Sequence, residues 1–281
     1  MESGDPLVTA EWLKDHISAP DVRVVDATWF APFLNMKKTG RQAWAESHIP
    51  GSVYFDIDAI RAGGTDLPHM LPDPVMFSSR VRKLGLGDGN RIIVYDQFNF
   101  FASARVWWML RVMGQRDVKV LDGGLRAWTE AGGEIEDLPP VPVERHFTAR
   151  VRSDLLKDAE QMLAASKSGL YTIIDSRSAE RFSGEAPEPR EGLPSGHIPG
   201  SVCLPSDKLR TPDGMMKSAE ELAKLFPNPS AATIATCGSG VSAAVLALAL
   251  ARLGNWDVAV YDGSWTEWAS DGSRPIATGP A

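Results

Sequence analysis

A disulfide framework is excluded at once, because the 281 residues hold only two cysteines, Cys203 and Cys237; so sparse a pair suits a reducing compartment and leaves a thiol free for chemistry. Long apolar runs are missing too. The longest, 241–250, falls well short of the ~20 residues that a membrane-spanning helix needs and is interrupted by Ser242. Positive charge is in deficit: 29 lysines and arginines stand against 36 acidic residues, a net charge of −7, so the broad basic face that displaces counterions from nucleic acid is not expected. Neither a membrane nor a nucleic acid is therefore an expected partner. Residues 1–6 lack the basic start and apolar core of a secretory leader, which makes the cytoplasm the expected location.

What is present describes a globular chain, since 43% hydrophobic and 23% charged residues are enough to build cores and too balanced for disorder. The sequence is also written twice. Val24, Val25 and Asp26 return as Ile173, Ile174 and Asp175, and the turn from His48 through Ile49, Pro50, Gly51 and Ser52 returns at the same offset as His197, Ile198, Pro199, Gly200 and Ser201. Asp122, Gly123 and Trp128 return as Asp262, Gly263 and Trp268, now at a smaller offset. The change of offset places extra residues in the first half, in the loop 61–74 that carries His69. A structureless insertion of this kind is more often functional than decorative. Between the halves, 138–144 is too rich in proline for a helix or a central strand and reads as a semi-rigid linker. The expected organisation is a first domain over 1–138, a linker over 139–150 and a second domain over 151–281.

Each half alternates short β-branched runs with helical ones, which predicts an α/β fold of two tandem domains, each a mostly parallel sheet flanked by helices. Strands are expected over 22–26, 91–96 and 118–122, and again over 171–175, 232–237 and 258–262. Helices are expected over 103–113, 125–131 and 243–253. Chemistry in such sheets gathers at the carboxyl edge of the strands.

Cys237 stands at that edge, between the strand-like run 231–236 and the loop Gly238, Ser239, Gly240, Val241, Ser242, which leads into the alanine and leucine run of the next helix. Two glycines let the backbone curl so that successive N–H groups point inward, and the start of a helix favours negative charge, so this setting favours a thiolate. An exposed thiolate there would be open to oxidation to a sulfenate. Cys203, inside an apolar run, reads as a structural filler. Aligning 93–96 with 234–237 sets Asp96 opposite Cys237, so only the second half keeps the nucleophile. The duplicated His48 and His197, like Asp26 and Asp175, read as parts of the fold, because they also occur in the half without the cysteine.

On these residues the chain resembles the two-domain rhodanese-like sulfurtransferases from Val24 to Trp268, and the stretch from Cys237 to Ser242 is similar to the active loop of their mercaptopyruvate-type members. The resemblance implies nucleophilic covalent catalysis: sulfur passes from 3-mercaptopyruvate to Cys237 as a persulfide and then to a thiol acceptor, a thioredoxin-like protein or a small thiol, or to cyanide, with release of pyruvate. It implies no metal or organic cofactor. By position, Ser239, His69 and Asp58 match a family triad that handles a proton, and Arg181 and Arg190 match two arginines that hold the substrate carboxylate and carbonyl, with Gly238, Gly240, Val241 and Ser242 forming the rest of the binding loop. Read alone, Ser239 is equally a small turn residue, His69 a surface histidine, and each arginine a solvated surface group. Thiosulfate is the alternative donor, disfavoured because the loop has no cation beside the cysteine. A cysteine phosphatase would need an arginine where Ala243 stands. A purely binding module would have no use for an intact Cys237.

Overall fold

The structure, a computed structural model, describes residues 4–98 and 100–280; the outermost positions of the two expected domains, 1–3 and 281, lie outside them. The first half contains β1 (Leu7–Val8), α1 (Ala10–His16), β2 (Val22–Asp26), α2 (Gly40–Glu46), β3 (Val53–Tyr54), α3 (Pro74–Lys83), β4 (Arg91–Tyr95), α4 (Phe101–Val112), β5 (Val118–Leu121) and α5 (Gly124–Glu130). The second contains β6 (Leu156–Lys157), α6 (Ala159–Ser168), β7 (Thr172–Asp175), α7 (Ala179–Ser183), β8 (Ser201–Cys203), α8 (Ala219–Ala223), β9 (Thr233–Thr236), α9 (Ala243–Arg252), β10 (Ala259–Tyr261) and α10 (Ser264–Ser270). The sheets have matching orders, β1-β5-β4-β2-β3 and β6-β10-β9-β7-β8, with parallel pairing throughout.

The expected strands and helices form, shifted by a residue or two at their ends. The four short edge strands β1, β3, β6 and β8 escape a reading by hydrophobic runs, because two or three residues carry too little period to be seen. Cys203 closes β8 and is partly exposed. The duplicated histidines support turns: His48 Nδ1 is 2.7 Å from the Trp44 carbonyl and His197 Nδ1 is 2.9 Å from that of Phe182.

α4 and α9 set the relation between the halves. Every residue of α4 from Ala102 to Val112 and every residue of α9 from Ala243 to Ala251 is buried. A helix that is buried all round needs cover on all sides. The two find it against one another, so that one hydrophobic cluster runs from Val25 and Phe77 in the first domain to Val245 and Val260 in the second. Arg111 of α4 also reaches the second domain, its guanidinium lying over the rings of both Trp107 and Trp256 and its Nη2 donating to the Trp256 carbonyl at 2.8 Å. An apolar interface continuous with both cores opposes relative domain motion. The stretch 139–152 holds no helix or strand and runs along the first domain, where the Phe147 carbonyl accepts from Arg82 and the Phe147 ring packs on Phe77.

The two strand-end aspartates are treated differently. Asp175 is buried against Arg177, whose Nη2 lies 2.7 Å from it. Its counterpart Asp26 has Thr28 where an arginine would stand and accepts from the Thr28 N–H at 2.7 Å, and its Oδ2 has no hydrogen-bond partner of good geometry among the described residues. Burial pushes its carboxyl up to about 6. The native state therefore holds this proton longer than the unfolded chain, so this group's contribution to stability falls as pH rises from about 4 to about 6 and then levels off. Asp26→Asn is expected to abolish that fall and to raise stability above pH 6 by about 1 to 3 kcal/mol relative to wild type; denaturant unfolding at pH 4, 5, 6 and 7.5 measures it, and a constant difference across that range would refute the assignment.

Candidate active site

Cys237 follows β9 directly, and α9 begins only at Ala243, so the thiol sits at the mouth of a loop that leads into the helix. It is 2% exposed. The thiol is thus buried, not the exposed group that would be readily oxidised to a sulfenate.

The loop's carbonyls are held from outside. Trp265 N–H donates to the Cys237 carbonyl at 2.9 Å, Thr266 donates to the Gly238 carbonyl through both its N–H (2.9 Å) and its hydroxyl (2.7 Å), and Arg105 Nη1 donates to the Gly240 carbonyl at 3.1 Å. In a trans peptide the N–H points opposite to the C=O. The N–H groups of Gly238, Ser239 and Val241 are thus turned the other way, and among the described residues those from Gly238 to Ser242 have no acceptor. Such a run of amides is an anion-binding nest. Ser264, at φ +49°, accepts from the Cys237 N–H at 3.2 Å and places its hydroxyl 3.9 Å from the sulfur.

Arg181 and Arg190 stand over the nest. A Cβ on Gly238 would lie 3.1 Å from Arg181 Nη2 and 3.9 Å from Arg190 Nη1. Arg181 is gripped by Glu188, 2.5 Å from Nη2 and itself 2% exposed, and the other oxygen of Glu188 holds the buried Arg177 at 2.7 Å. Burial holds the Arg190 guanidinium below its ordinary value, opposed by Cys237 and reinforced by the like charge of Arg181. Asp58 is also close enough to act on Arg190, which brings the first domain's residues to the second domain's cysteine.

His69 is 6% exposed, with Nδ1 3.0 Å from Asp58 Oδ1 and its ring edge-on to Trp29 at 5.0 Å between centroids. Trp29 Nε1 donates to the other oxygen of Asp58 at 2.8 Å. Partial burial opposes the charge on Asp58, but His69 and Trp29 together hold its carboxyl below the ordinary carboxylate range. Ser239 is buried in the cysteine loop; among the described residues no hydrogen bond joins its hydroxyl to His69. Val241 packs into the hydrophobic core and Ser242 Oγ meets Ser176 Oγ at 2.9 Å, so what these two offer the cleft is backbone.

Sequence reasoning misses Glu188, Arg177, Arg105, Asp262, Ser264 and Thr266. One signal exists for Arg105, a cation in the middle of an otherwise apolar helical run; the others carry no local mark. In the first domain Asp96, opposite Cys237, is buried and accepts from the N–H groups of Phe98 at 3.0 Å, Phe100 at 3.3 Å and Ser103 at 2.9 Å. Its own carboxylate fills the equivalent nest. No grouping of three His, Cys, Asp or Glu able to hold a metal occurs among the described residues.

A family model for the rhodanese-like domain matches twice, over residues 9–131 and 157–271. The chain belongs to the rhodanese-like family. Among its relatives, 3-mercaptopyruvate sulfurtransferase of Escherichia coli is 38% identical, with 96% of each chain covered. Thiosulfate sulfurtransferase of Rattus norvegicus is 40% identical over 93% of this chain and 91% of its own. The crystal structure of the Escherichia coli 3-mercaptopyruvate sulfotransferase SseA superposes with a TM-score of 0.85 at 36% identity, covering 93% of this chain and 99% of that one. The tandem rhodanese-like architecture and its two parallel sheets are thereby shared with solved members of the family.

The loop geometry demands glycine at 240, where φ is +76° and a Cβ would come within 2.5 Å of the Asp262 carbonyl. Gly240→Ala is expected to cost about 2 to 4 kcal/mol of stability from strain and displacement of β10's end, seen as a lowered thermal midpoint; an unchanged midpoint would show that the loop is not so constrained.

Proposed function

We propose that this chain is a 3-mercaptopyruvate sulfurtransferase acting through a persulfide on Cys237. The observation that carries this reading is the juxtaposition at Gly238: two guanidinium heads at the start of a run of amides that have no acceptor among the described residues, beside the cysteine. Arginine forks suit a carboxylate and its neighbouring carbonyl, and amides without a cation in the loop suit a single negative charge on sulfur. The names of the relatives support the same substrate.

In this mechanism the Cys237 thiolate attacks the sulfur of 3-mercaptopyruvate. The S–S bond forms as the S–C bond breaks, and the electron pair stays on carbon as the pyruvate enolate. The substrate's thiol proton, handled by the Ser239 hydroxyl on one side of the substrate and by His69, whose imidazole Asp58 orients, on the other, reaches that carbon and yields pyruvate. Cys237 is left as a persulfide anion stabilised by the loop amides. A thiol acceptor then takes the outer sulfur as its own persulfide and restores the thiolate; cyanide takes it as thiocyanate. No step calls on a metal or organic cofactor. The acceptor is a small thiol or a thioredoxin-like protein, and the reducing cytoplasm is the compartment that keeps Cys237 available.

Thiosulfate is the second reading, favoured by the same two arginines, which also suit a dianion, and by a thiosulfate sulfurtransferase relative at 40% identity. A paired assay with 3-mercaptopyruvate and thiosulfate, using matched cyanide or dithiothreitol, decides: a preference for mercaptopyruvate is expected, and a preference for thiosulfate would overturn the substrate assignment.

Cys237→Ser is expected to remove turnover with either donor while leaving the thermal midpoint within a few degrees of wild type. Arg181→Ala and Arg190→Ala should each raise KM for mercaptopyruvate about 10- to 100-fold, the worth of a charge-assisted hydrogen-bonded contact. Unchanged kinetics in both would remove the arginines from the substrate site.

A further inference from the structure

Arg105 lies on α4 of the first domain, fully buried, and its guanidinium reaches three groups in two other places. Nη1 lies 2.6 Å from Asp262 Oδ1 and 3.1 Å from the Gly240 carbonyl, both in the second domain, while Nη2 donates to the His69 carbonyl. The ring of Trp108, 4.5 Å from Cζ, stacks beneath it. Asp262 uses its second oxygen to accept from the Leu71 N–H at 2.6 Å. The ion pair therefore holds the chain on both sides of Met70, by the carbonyl before it and by the N–H after it. A third contact within the loop, Ala62 N–H to the Met70 carbonyl at 2.8 Å, completes the grip.

His69 needs such a grip. Its φ is +60°, a conformation that a side chain with a Cβ adopts only when its surroundings impose it. The same guanidinium that imposes it also turns the Gly240 peptide, and so helps to hold the loop that carries Ser239. One rigid planar group thus sets the position of the His69 loop against the Cys237 loop across the domain boundary.

We propose that Arg105, paired with Asp262, is a positioning residue for sulfur transfer: it places His69 relative to the cysteine loop and makes the active site a property of the docked domains together. The inference rests on the reading that His69 handles the proton of the mercaptopyruvate half-reaction. Lysine keeps the charge against Asp262 but has a single nitrogen, so it must release the His69 carbonyl or the Gly240 carbonyl.

A double-mutant cycle on the full-length protein, with 3-mercaptopyruvate as donor and dithiothreitol as acceptor, tests it. Arg105→Lys should lower kcat about 10- to 100-fold, as misplacement of a reacting group by about 1 Å does, with KM changed less than about threefold. His69→Ala should lower kcat as well. In the His69→Ala background, Arg105→Lys should then cost several-fold less than it does in wild type, because the histidine it positions is gone and only its hold on the Gly240 carbonyl is left to lose. Fully multiplicative losses, or a loss confined to KM, would overturn the proposal and leave Arg105 a structural ion pair. Should Arg105→Lys fail to fold, Asp262→Asn, which keeps the shape and removes the charge, enters the same cycle with the same expectations. Wild type is the control: if it does not turn over mercaptopyruvate, the functional reading fails, whereas turnover by wild type with a multiplicative cycle defeats only the positioning role.

Discussion

The outward capture of three carbonyls after Cys237 is the constraint on which the active site depends. Trp265, Thr266 and Arg105 take the oxygens of Cys237, Gly238 and Gly240, and peptide planarity sends the corresponding N–H groups the other way. The nest is thus built by residues outside the loop itself. Its glycines permit the curvature, but the N-terminal turn of α10 and a helix from the other domain hold it there. A preorganised set of amides costs no reorganisation when charge arrives on sulfur.

The first domain shows the same device in a closed form. Asp96 supplies a carboxylate to the amides of its own loop, and burial pushes its carboxyl above the ordinary range. The docking contacts are duplicated as well: the Met216 N–H donates to Asp122 at 2.8 Å just as the Leu71 N–H donates to Asp262. Each domain thereby uses the aspartate that follows its last strand to receive a loop from the other. The pseudo-symmetry ends at the nucleophile, where one loop is filled by its own side chain and the other carries a thiol.

Buried charge is otherwise costly, and here it is kept in connected groups. Asp175, Arg177, Glu188 and Arg181 form one chain of ion pairs leading from the end of β7 to the cleft. Desolvating four such groups contributes little to stability by itself. Its geometric result is that Arg181, reaching Gly238 of the cysteine loop, is held by the buried carboxylate of Glu188. Cys203, at the end of β8, has its thiol pushed up to about 11 by burial, which keeps it in the neutral thiol form.

The repeat, the principal strands and the loop after Cys237 are legible as local patterns, set by side-chain period, by glycine's access to positive φ and by proline's exclusion from helices. The match of Asp58 and His69, and of Arg181 and Arg190, comes from the family resemblance, because nothing in their immediate neighbours marks them. The partners of those groups are illegible in the sequence. Arg105 and Asp262 are 157 residues apart in the chain, and no short-range rule relates two positions so distant. The same holds for Thr266 on Gly238 and for Asp58 near Arg190, which meet only because α4 and α9 bury one another. The sequence alone thus singled out Cys237 as the candidate nucleophile and determined what kind of sheet presents it. Tertiary packing decided which way the loop's peptides face and which first-domain residues, His69 and Asp58 among them, come up to the cysteine loop, since both depend on contacts between segments that local backbone preferences cannot bring together.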